Sequence, residues 1–328
     1  MRSAIIGLMN ALMLAISGTT GAQETAKTTG YPDKPARVIV PVAPGGSTDF
    51  IARIVSTKLG EAFGNTFVVD NRPGAGSLIG TDIVAKAQPD GYTLLFAYAA
   101  HTIAPLIYRS VPYDVRKDFA PVTVVGAQPL IITLHPSVKA NTVQELISLA
   151  KAKTGNLNVA LMTPSSSGAL AAELFKILTH TPQMVSVPFK GGGPAMIALL
   201  SGEVQLVFAT PPDMLAHLKS GKVKAIGTTS KNRLPYLPDV PTLVEQGVKD
   251  LNTAPWYGLI APARTPAAII DKLYKQITEI LKTSDVRERL AASGTDVVGN
   301  SPKEFTEQIR RELDQNGKVI KAVGMKAD

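Results

Sequence analysis

Short apolar runs alternate with amphipathic segments along most of the chain. The run Arg37–Val42 is typical of a buried strand, and residues 50–63 carry apolar side chains at helical spacing. The same pattern predicts further strands at 66–69, 93–96, 158–161, 184–187 and 205–208, and further helices at 77–87, 169–178, 194–200 and 268–282. Strands that alternate with helices indicate an α/β fold with mainly parallel sheets.

Two places along the chain predict crossings between domains. Residues 119–126 lead directly into a second extended run at 130–134, with no helix between them. Residues 234–239 are proline-rich and irregular, and they precede a strand at 256–260. We expect a first domain of residues 31–128 and 257–328, a second domain of residues 129–256, and closure of the two domains over a ligand in the crevice between them.

The N-terminal segment has the features of a secretory signal peptide. Arg2 is followed by an almost entirely apolar stretch at 4–16 and by small residues at 17–22. The alternative, a buried first helix, is disfavoured because the apolar stretch has no helical stripe. We expect residues 1–22 to be removed after Ala22 and the mature protein to be exported.

Composition narrows the possible functions. The 328 residues contain no cysteine, which excludes disulfides, iron–sulfur clusters, thiolate zinc sites and cysteine nucleophiles. The net charge is +8, but basic and acidic residues are interspersed, with no run of five like charges and no basic stripe interleaved with aromatic residues. This distribution argues against a nucleic-acid or membrane-surface partner and is typical of a solvated surface.

Six loops that follow predicted strands are rich in small, hydroxylated and glycine residues. They are 43–49, 71–77, 97–102, 163–168, 190–194 and 209–212. In open α/β sheets, ligands bind beyond the carboxyl ends of the strands, where backbone amides and helix N-termini favour anions. Each loop alone is more typical of a plain turn with a helix cap than of a ligand site. The six together predict a crevice that binds a carboxylate through amides, hydroxyls and helix dipoles.

Catalytic motifs are incomplete. The segment Gly74–Gly80 resembles a dinucleotide fingerprint, but Ile79 stands where the third glycine belongs. Ser165–Ser167 lack the Gly-x-Ser-x-Gly elbow, and the four histidines are scattered without metal-site spacing. Asp49 is best explained as a first-turn acid paired with Arg53. We therefore expect no enzyme activity, no cofactor and no metal.

Several motifs, in order along the chain, resemble the Bug-type solute-binding proteins of tripartite tricarboxylate transporters. They are Tyr31-Pro32 with Pro35, Pro44-Gly45-Gly46 with Asp49 and Ala52-Arg53, and the segments 71–76, 90–94, 187–195, 237–242 and 256–258. The resemblance implies a two-domain periplasmic binding protein of the Venus-flytrap kind, type II-like, with two crossover strands and the ligand cleft between the domains. It also implies that the bound carboxylate is passed to a small and a large membrane subunit.

The resemblance implies that the loops of the two domains have different roles in binding. In the first domain, the turns 44–48 and 97–102 would anchor one carboxylate, partly through ordered water. In the second domain, 165–168, 189–191 and 209–210 would select the rest of the ligand. The expected ligand-binding residues are Pro44, Gly45, Gly46, Ser47, Thr48, Tyr98, Ala99, His101, Thr102, Ser165, Ser166, Ser167, Gly168, Phe189, Lys190, Gly191, Ala209 and Thr210.

Two departures from the family pattern bear on the ligand. Family members often carry a histidine where this chain has Ala169, and many carry an Asp-Asn pair where it has Ala209-Thr210. The missing acid removes a partner for an ammonium group, so we expect a dicarboxylate or an aromatic carboxylate. Tyr98 and Phe189 are candidates to stack on an aromatic ring. A monomer is expected. A ligand-presenting subunit of a membrane sensor kinase, without transport, is the alternative function.

Overall fold

A computed structural model of the protein describes residues 30–152, 157–251 and 254–327. The predicted signal peptide, residues 1–22, lies outside the described residues. The strands are β1 (Ala36–Val40), β2 (Phe67–Asn71), β3 (Thr93–Tyr98), β4 (Phe119–Ala127), β5 (Ile131–Leu134), β6 (Asn158–Leu161), β7 (Val185–Pro188), β8 (Leu206–Ala209), β9 (Lys224–Thr228), β10 (Trp256–Pro262) and β11 (Asp296–Val297). The helices are α1 (Ser47–Phe63), α2 (Leu78–Ala85), α3 (Ala100–Ile107), α4 (Val143–Lys151), α5 (Ser167–Thr179), α6 (Gly192–Ser201), α7 (Pro211–Lys219), α8 (Ala267–Ile280), α9 (Ser284–Ala292) and α10 (Pro302–Val323).

The first sheet has six strands in the order β11-β4-β10-β3-β1-β2. β1 is parallel to β2 and β3, whereas β10 is antiparallel to both β3 and β4. Because side chains alternate across a strand, Val38 packs with α1 and α8 on one face, whereas Ile39 packs with α2 and α10 on the other. Helices therefore cover both faces of this sheet.

The second sheet has five strands in the order β7-β6-β8-β5-β9. β6 is parallel to β7 and β8, and β5 is antiparallel to β8 and β9. Here Phe208 packs with α4 and α5 on one face, whereas Val207 packs with α6 and α7 on the other. The parallel strands of both sheets are followed by helices, so the predicted α/β class is confirmed.

The chain crosses between the two sheets twice. It leaves the first sheet after β4, enters the second at β5, and returns between β9 and β10. The two crossing segments are hydrogen-bonded to each other, since the Gln128 amide donates to the Pro255 carbonyl oxygen (2.9 Å) and the Leu130 amide to the Thr229 hydroxyl (2.9 Å). We call the part built on the first sheet the first domain and the part built on the second sheet the second domain.

The end of α10 makes a further connection between the domains. Ile320 packs with Ile103 and Ile107 of α3 and with Leu170 of α5, in an apolar cluster shared by both domains. Beyond the helix, the Ala327 amide donates to the Ile107 carbonyl oxygen (3.1 Å). Within the described part of the chain, no helix combines the length and the apolar character that crossing a bilayer requires.

Helix α3 is one of the helices that the pattern did not predict. Residues 97–102 read as a loop in sequence, but α3 begins at Ala100 and continues through Pro105 to Ile107. Proline normally ends a helix because it lacks the backbone N–H, so Pro105 argued against a helix in this segment. The boundary of α1 also differs, since the helix begins at Ser47, directly after the glycine pair, rather than at Phe50.

Candidate functional site

The carboxyl ends of the parallel strands in the two domains face each other. The hydroxyl oxygens of Ser47, after β1, and Thr210, after β8, lie 3.3 Å apart. The hydroxyl of Ser165, after β6, donates to the carbonyl oxygen of Gly76, after β2, over 3.2 Å. We call the space between these two sets of loops the cleft. Its walls touch directly, so the domains are in a closed arrangement.

The turn after β1 is held in place by Asp49. Its carboxylate accepts hydrogen bonds from the Gly45 amide (3.0 Å), the Arg53 guanidinium (2.9 Å) and the Asn71 side-chain amide (2.9 Å). Burial raises the pKa of Asp49, but these hydrogen bonds outweigh it and lower the pKa below its ordinary value. The predicted Asp49–Arg53 pairing is present. Asp49 thus fixes the shape of the glycine turn.

The same turn leaves room beside its backbone. A Cβ atom built on Gly45 or Gly46 would meet no heavy atom within 4 Å. Gly45 has a φ of 94°, which an L side chain rarely adopts, whereas the backbone of Gly46 is extended. The turn therefore has open space beside it at the N-terminus of α1, where the helix dipole favours negative charge.

Phenol groups line the first-domain wall. Tyr98 at the end of β3 and Tyr257 at the start of β10 are paired across adjacent strands. The Tyr257 hydroxyl donates to the side-chain oxygen of Gln128 (2.7 Å), whose amide in turn donates to Thr295 (2.9 Å). Burial raises the pKa of both phenols, so they remain neutral hydrogen-bonding groups.

In the second domain, several predicted residues already have structural partners. Ser166 caps α5, since its hydroxyl accepts from the Ala169 amide (3.1 Å). A Cβ on Gly168 would lie 2.3 Å from the Phe208 carbonyl oxygen, so only glycine fits there. Ala209 is buried in the core, and Phe189 packs against the same cluster. Lys190 is exposed, and Gly191 has a φ of 131° with open space around its Cβ position.

The side chains of His101 and Thr102 point into the first domain. The His101 ring is 2% exposed and lies edge-on to Phe119, and neither ring nitrogen has a hydrogen-bond partner within the described residues. Burial lowers the pKa of His101 to about 3. The Thr102 hydroxyl donates to Glu312 of α10 (2.9 Å), which also accepts from the Trp256 indole (2.8 Å). Ala99, just ahead of them, is buried.

Sequence reasoning missed the cleft residues Gln128, Tyr257 and Asp213. Asp213, in the first turn of α7, accepts a hydrogen bond from the Thr210 hydroxyl over 2.5 Å. Burial raises the pKa of Asp213 even though hydrogen bonds from Thr210 lower it. Asp213 lies three residues after Thr210, which is the N-cap of α7 and is followed by proline. A carboxylate at this spacing from a helix N-cap is the sequence signal that could have found it. The described residues contain no cluster of three His, Asp or Glu side chains that could bind a metal.

Comparison with known proteins identifies the family. A family model described as "Tripartite tricarboxylate transporter family receptor" matches residues 51–325. The chain belongs to this receptor family. The resemblance inferred from the sequence motifs is therefore confirmed, and the two-domain fold is that of the periplasmic solute-binding proteins in this receptor family.

Individual relatives match over nearly the full length of the receptor. Protein BugT of Bordetella pertussis is 36% identical over 320 residues, covering 96% of this chain and 98% of BugT. The structure of R. palustris Rpa4515 with adipate has a TM-score of 0.84 at 32% identity, covering 90% of this chain and 99% of that one. The structure of MatC from Rhodopseudomonas palustris with bound malate has a TM-score of 0.81 at 31% identity, covering 88% of this chain and all (100%) of that one.

Proposed function

We propose that this receptor captures a small carboxylate in the periplasm and delivers it to the membrane subunits of a tripartite tricarboxylate transporter. The observation that carries the proposal is the meeting of Ser47 with Thr210 across the cleft, where the N-termini of α1 and α7 face each other. Hydroxyl groups and helix dipoles in a closed, partly dry cleft bind carboxylates through charge-assisted hydrogen bonds. Two structural relatives contain adipate and malate, which are both carboxylates.

The turn after β1 is the proposed anchor for the carboxylate. Its support is the open space beside Gly45 and Gly46 and the shape that Asp49 imposes on the turn. Thr210 and Ser165 form the facing wall, together with the open turn at Gly191. The buried side chains of His101 and Thr102 support this site from within the first domain, and their direct contact with ligand stays a prediction.

Domain boundaries and export are part of the proposal. Residues 31–128 and 257–328 would form the first domain and residues 129–256 the second. The strands of the two sheets support this division except at Trp256, the first residue of β10 in the first sheet. Residues 1–22 would direct export and be removed after Ala22. The mature receptor would act as a monomer, with no cofactor, and would release its ligand unchanged.

A thermal-shift screen tests this function. The chain lacking residues 1–22 is unfolded, refolded to remove copurified ligand, and heated with aliphatic dicarboxylates, tricarboxylates, aromatic carboxylates and amino acids. A ligand present at about 100 times its Kd adds roughly 2.7 kcal/mol to the free energy of unfolding. Diols of the same chain length, which lack carboxylates, are the control. A raised midpoint with carboxylates alone supports the proposal, and no shift with any carboxylate contradicts it.

A further inference from the structure

An acidic side chain lies in the wall of the cleft that the second domain supplies. Asp213 lies within the first turn of α7, and one of its oxygens would be 3.6 Å from a Cβ on Gly192, at the start of α6. It is therefore positioned between the N-termini of two helices that begin at the cleft. Asp213 forms no ion pair with any residue that the structure describes.

The carboxylate of Asp213 sets the direction of a hydrogen-bond chain across the cleft. The Thr210 hydroxyl has a single proton, and its contact with Asp213 (2.5 Å) is shorter than its contact with Ser47 (3.3 Å). Thr210 therefore donates to Asp213, and Ser47 donates to Thr210. At Thr210 and Asp213, the second-domain wall thus presents hydrogen-bond acceptors.

Asp213 also acts on the opposite wall. Its negative charge adds to the effect of burial in raising the pKa of Tyr257, which belongs to the first domain. Next to it, Pro211 packs on the first domain, since a Cβ on Gly294 would lie 2.7 Å from the Pro211 ring. The carboxylate is therefore at the contact between the domains rather than on the outer surface of α7.

We propose that Asp213 is a specificity-determining residue, which selects a ligand whose end facing the second domain is a hydrogen-bond donor, a hydroxyl or an ammonium group. The inference rests on the proposed function, in which the first domain holds the ligand's carboxylate. A second carboxylate facing Asp213 would meet a like charge in a low-dielectric cleft, which costs binding free energy. Asp213, three residues after Thr210, thus provides the carboxylate that positions 209 and 210 lack. The absence of an acid at those two positions therefore no longer argues against ligands that carry an amino group.

Calorimetry with matched acids tests the assignment. The ligands are the diacid, the ω-hydroxy acid and the ω-amino acid of four, five and six carbons, which differ only in the group opposite the carboxylate. They are titrated into the wild-type receptor, Asp213→Asn, and the control Asp239→Asn. Asp239 is an exposed acid of the second domain, so its variant has the same change in charge outside the cleft.

The expected result is a preference of the wild-type receptor and of Asp239→Asn for the donor-ended acids, at least tenfold over the diacid of equal length. Asp213→Asn loses that preference, because an amide both donates and accepts. The hydroxy and amino series distinguish the two kinds of donor.

Three outcomes would overturn the assignment. If the wild-type receptor prefers diacids and Asp213→Asn leaves that preference unchanged, the role of Asp213 is wrong, but the proposed function stands. Equal loss of affinity for all three ligand types in Asp213→Asn shows a purely structural role for the carboxylate. If the wild-type receptor binds no acid of any series, the proposed function fails and the assignment fails with it.

Discussion

Replacement of His101 by leucine should remove a large part of the acid sensitivity of the first domain. The imidazole is 2% exposed, and neither nitrogen has a partner within the described residues. Leucine has a similar volume and no polar atoms, so it fits among the same apolar neighbours without leaving an unpaired group. At neutral pH we expect His101→Leu to be at least as stable as the wild-type protein, since an unpaired buried polar group costs roughly 1–3 kcal/mol.

The size of the effect follows from the pKa. Burial lowers the pKa of His101 from 6.5 to about 3 in the folded protein. As the pH falls below 6.5, the unfolded chain takes up a proton that the folded protein does not, so stability decreases until about pH 3. At a pH two units below the unfolded pKa, the loss from this group is roughly 2.7 kcal/mol, at about 1.36 kcal/mol per unit.

Urea unfolding monitored by tryptophan fluorescence measures this loss in the first domain, which contains His101. Trp256 is the only tryptophan in the sequence, and it is buried against Phe305 in the first domain. Unfolding free energies are compared at about pH 7 and about pH 4.5 for the wild-type protein, His101→Leu and the control His217→Gln in α7. Between these pH values, the wild-type protein should lose about 2.5 kcal/mol more than His101→Leu.

The reasoning is refuted if His101→Leu loses as much stability in acid as the wild-type protein does. That result would show that other groups carry the acid sensitivity and that the folded imidazole titrates normally. A variant that is strongly destabilised at neutral pH would instead contradict the absence of a hydrogen-bond partner.

Three further predictions follow from the site and its support. Gly46→Val should reduce carboxylate affinity at least tenfold by calorimetry, because the valine side chain fills the space proposed for the ligand. Its unfolding midpoint should stay within a degree or two, because the extended backbone and open surroundings of Gly46 accept a side chain. Gly191→Val, at a φ of 131°, should lower the unfolding midpoint as well. Unchanged affinity in Gly46→Val would refute the anchor. Glu312→Ala should cost roughly 1–3 kcal/mol in urea unfolding, because it removes the hydrogen-bond partner of the buried Trp256 indole, whereas Glu312→Gln should cost less; equal losses would show that hydrogen bonding is not the cause. Mass spectrometry of the periplasmic protein should find an N-terminus at Gln23, and an uncleaved chain would contradict the signal peptide.

The hydrophobic pattern was sufficient to predict the α/β class and nine of the eleven described strands, all except β9 and β11. The strand predicted at 37–42 is β1 at Ala36–Val40, and its alternating residues divide between two cores as expected for a sheet covered on both faces. The glycine and hydroxyl loops were found for the same reason, since turn chemistry is a local property of a few residues. The motifs that resemble the receptor family are also local, and the family assignment from them is confirmed.

Other features were not accessible from local pattern. Pro105 concealed α3, and with it the direction in which His101 and Thr102 point. Glu312 lies 210 residues from Thr102 in the chain, and no spacing rule connects them. In the sequence, Asp213 is an acid near the start of a helix, and only the fold links it through Thr210 to Ser47 of the other domain.

Local residue patterns therefore specify the alternation of strands and helices, the position of the glycine and hydroxyl loops and the family, because each depends on residues close together along the chain. Only the tertiary structure decided which loop residues meet across the cleft. Ser47 and Thr210 are 163 residues apart, and their contact exists because two separately packed domains close against each other. The same closure links Asp213 through Thr210 to the first domain, which local propensity does not determine.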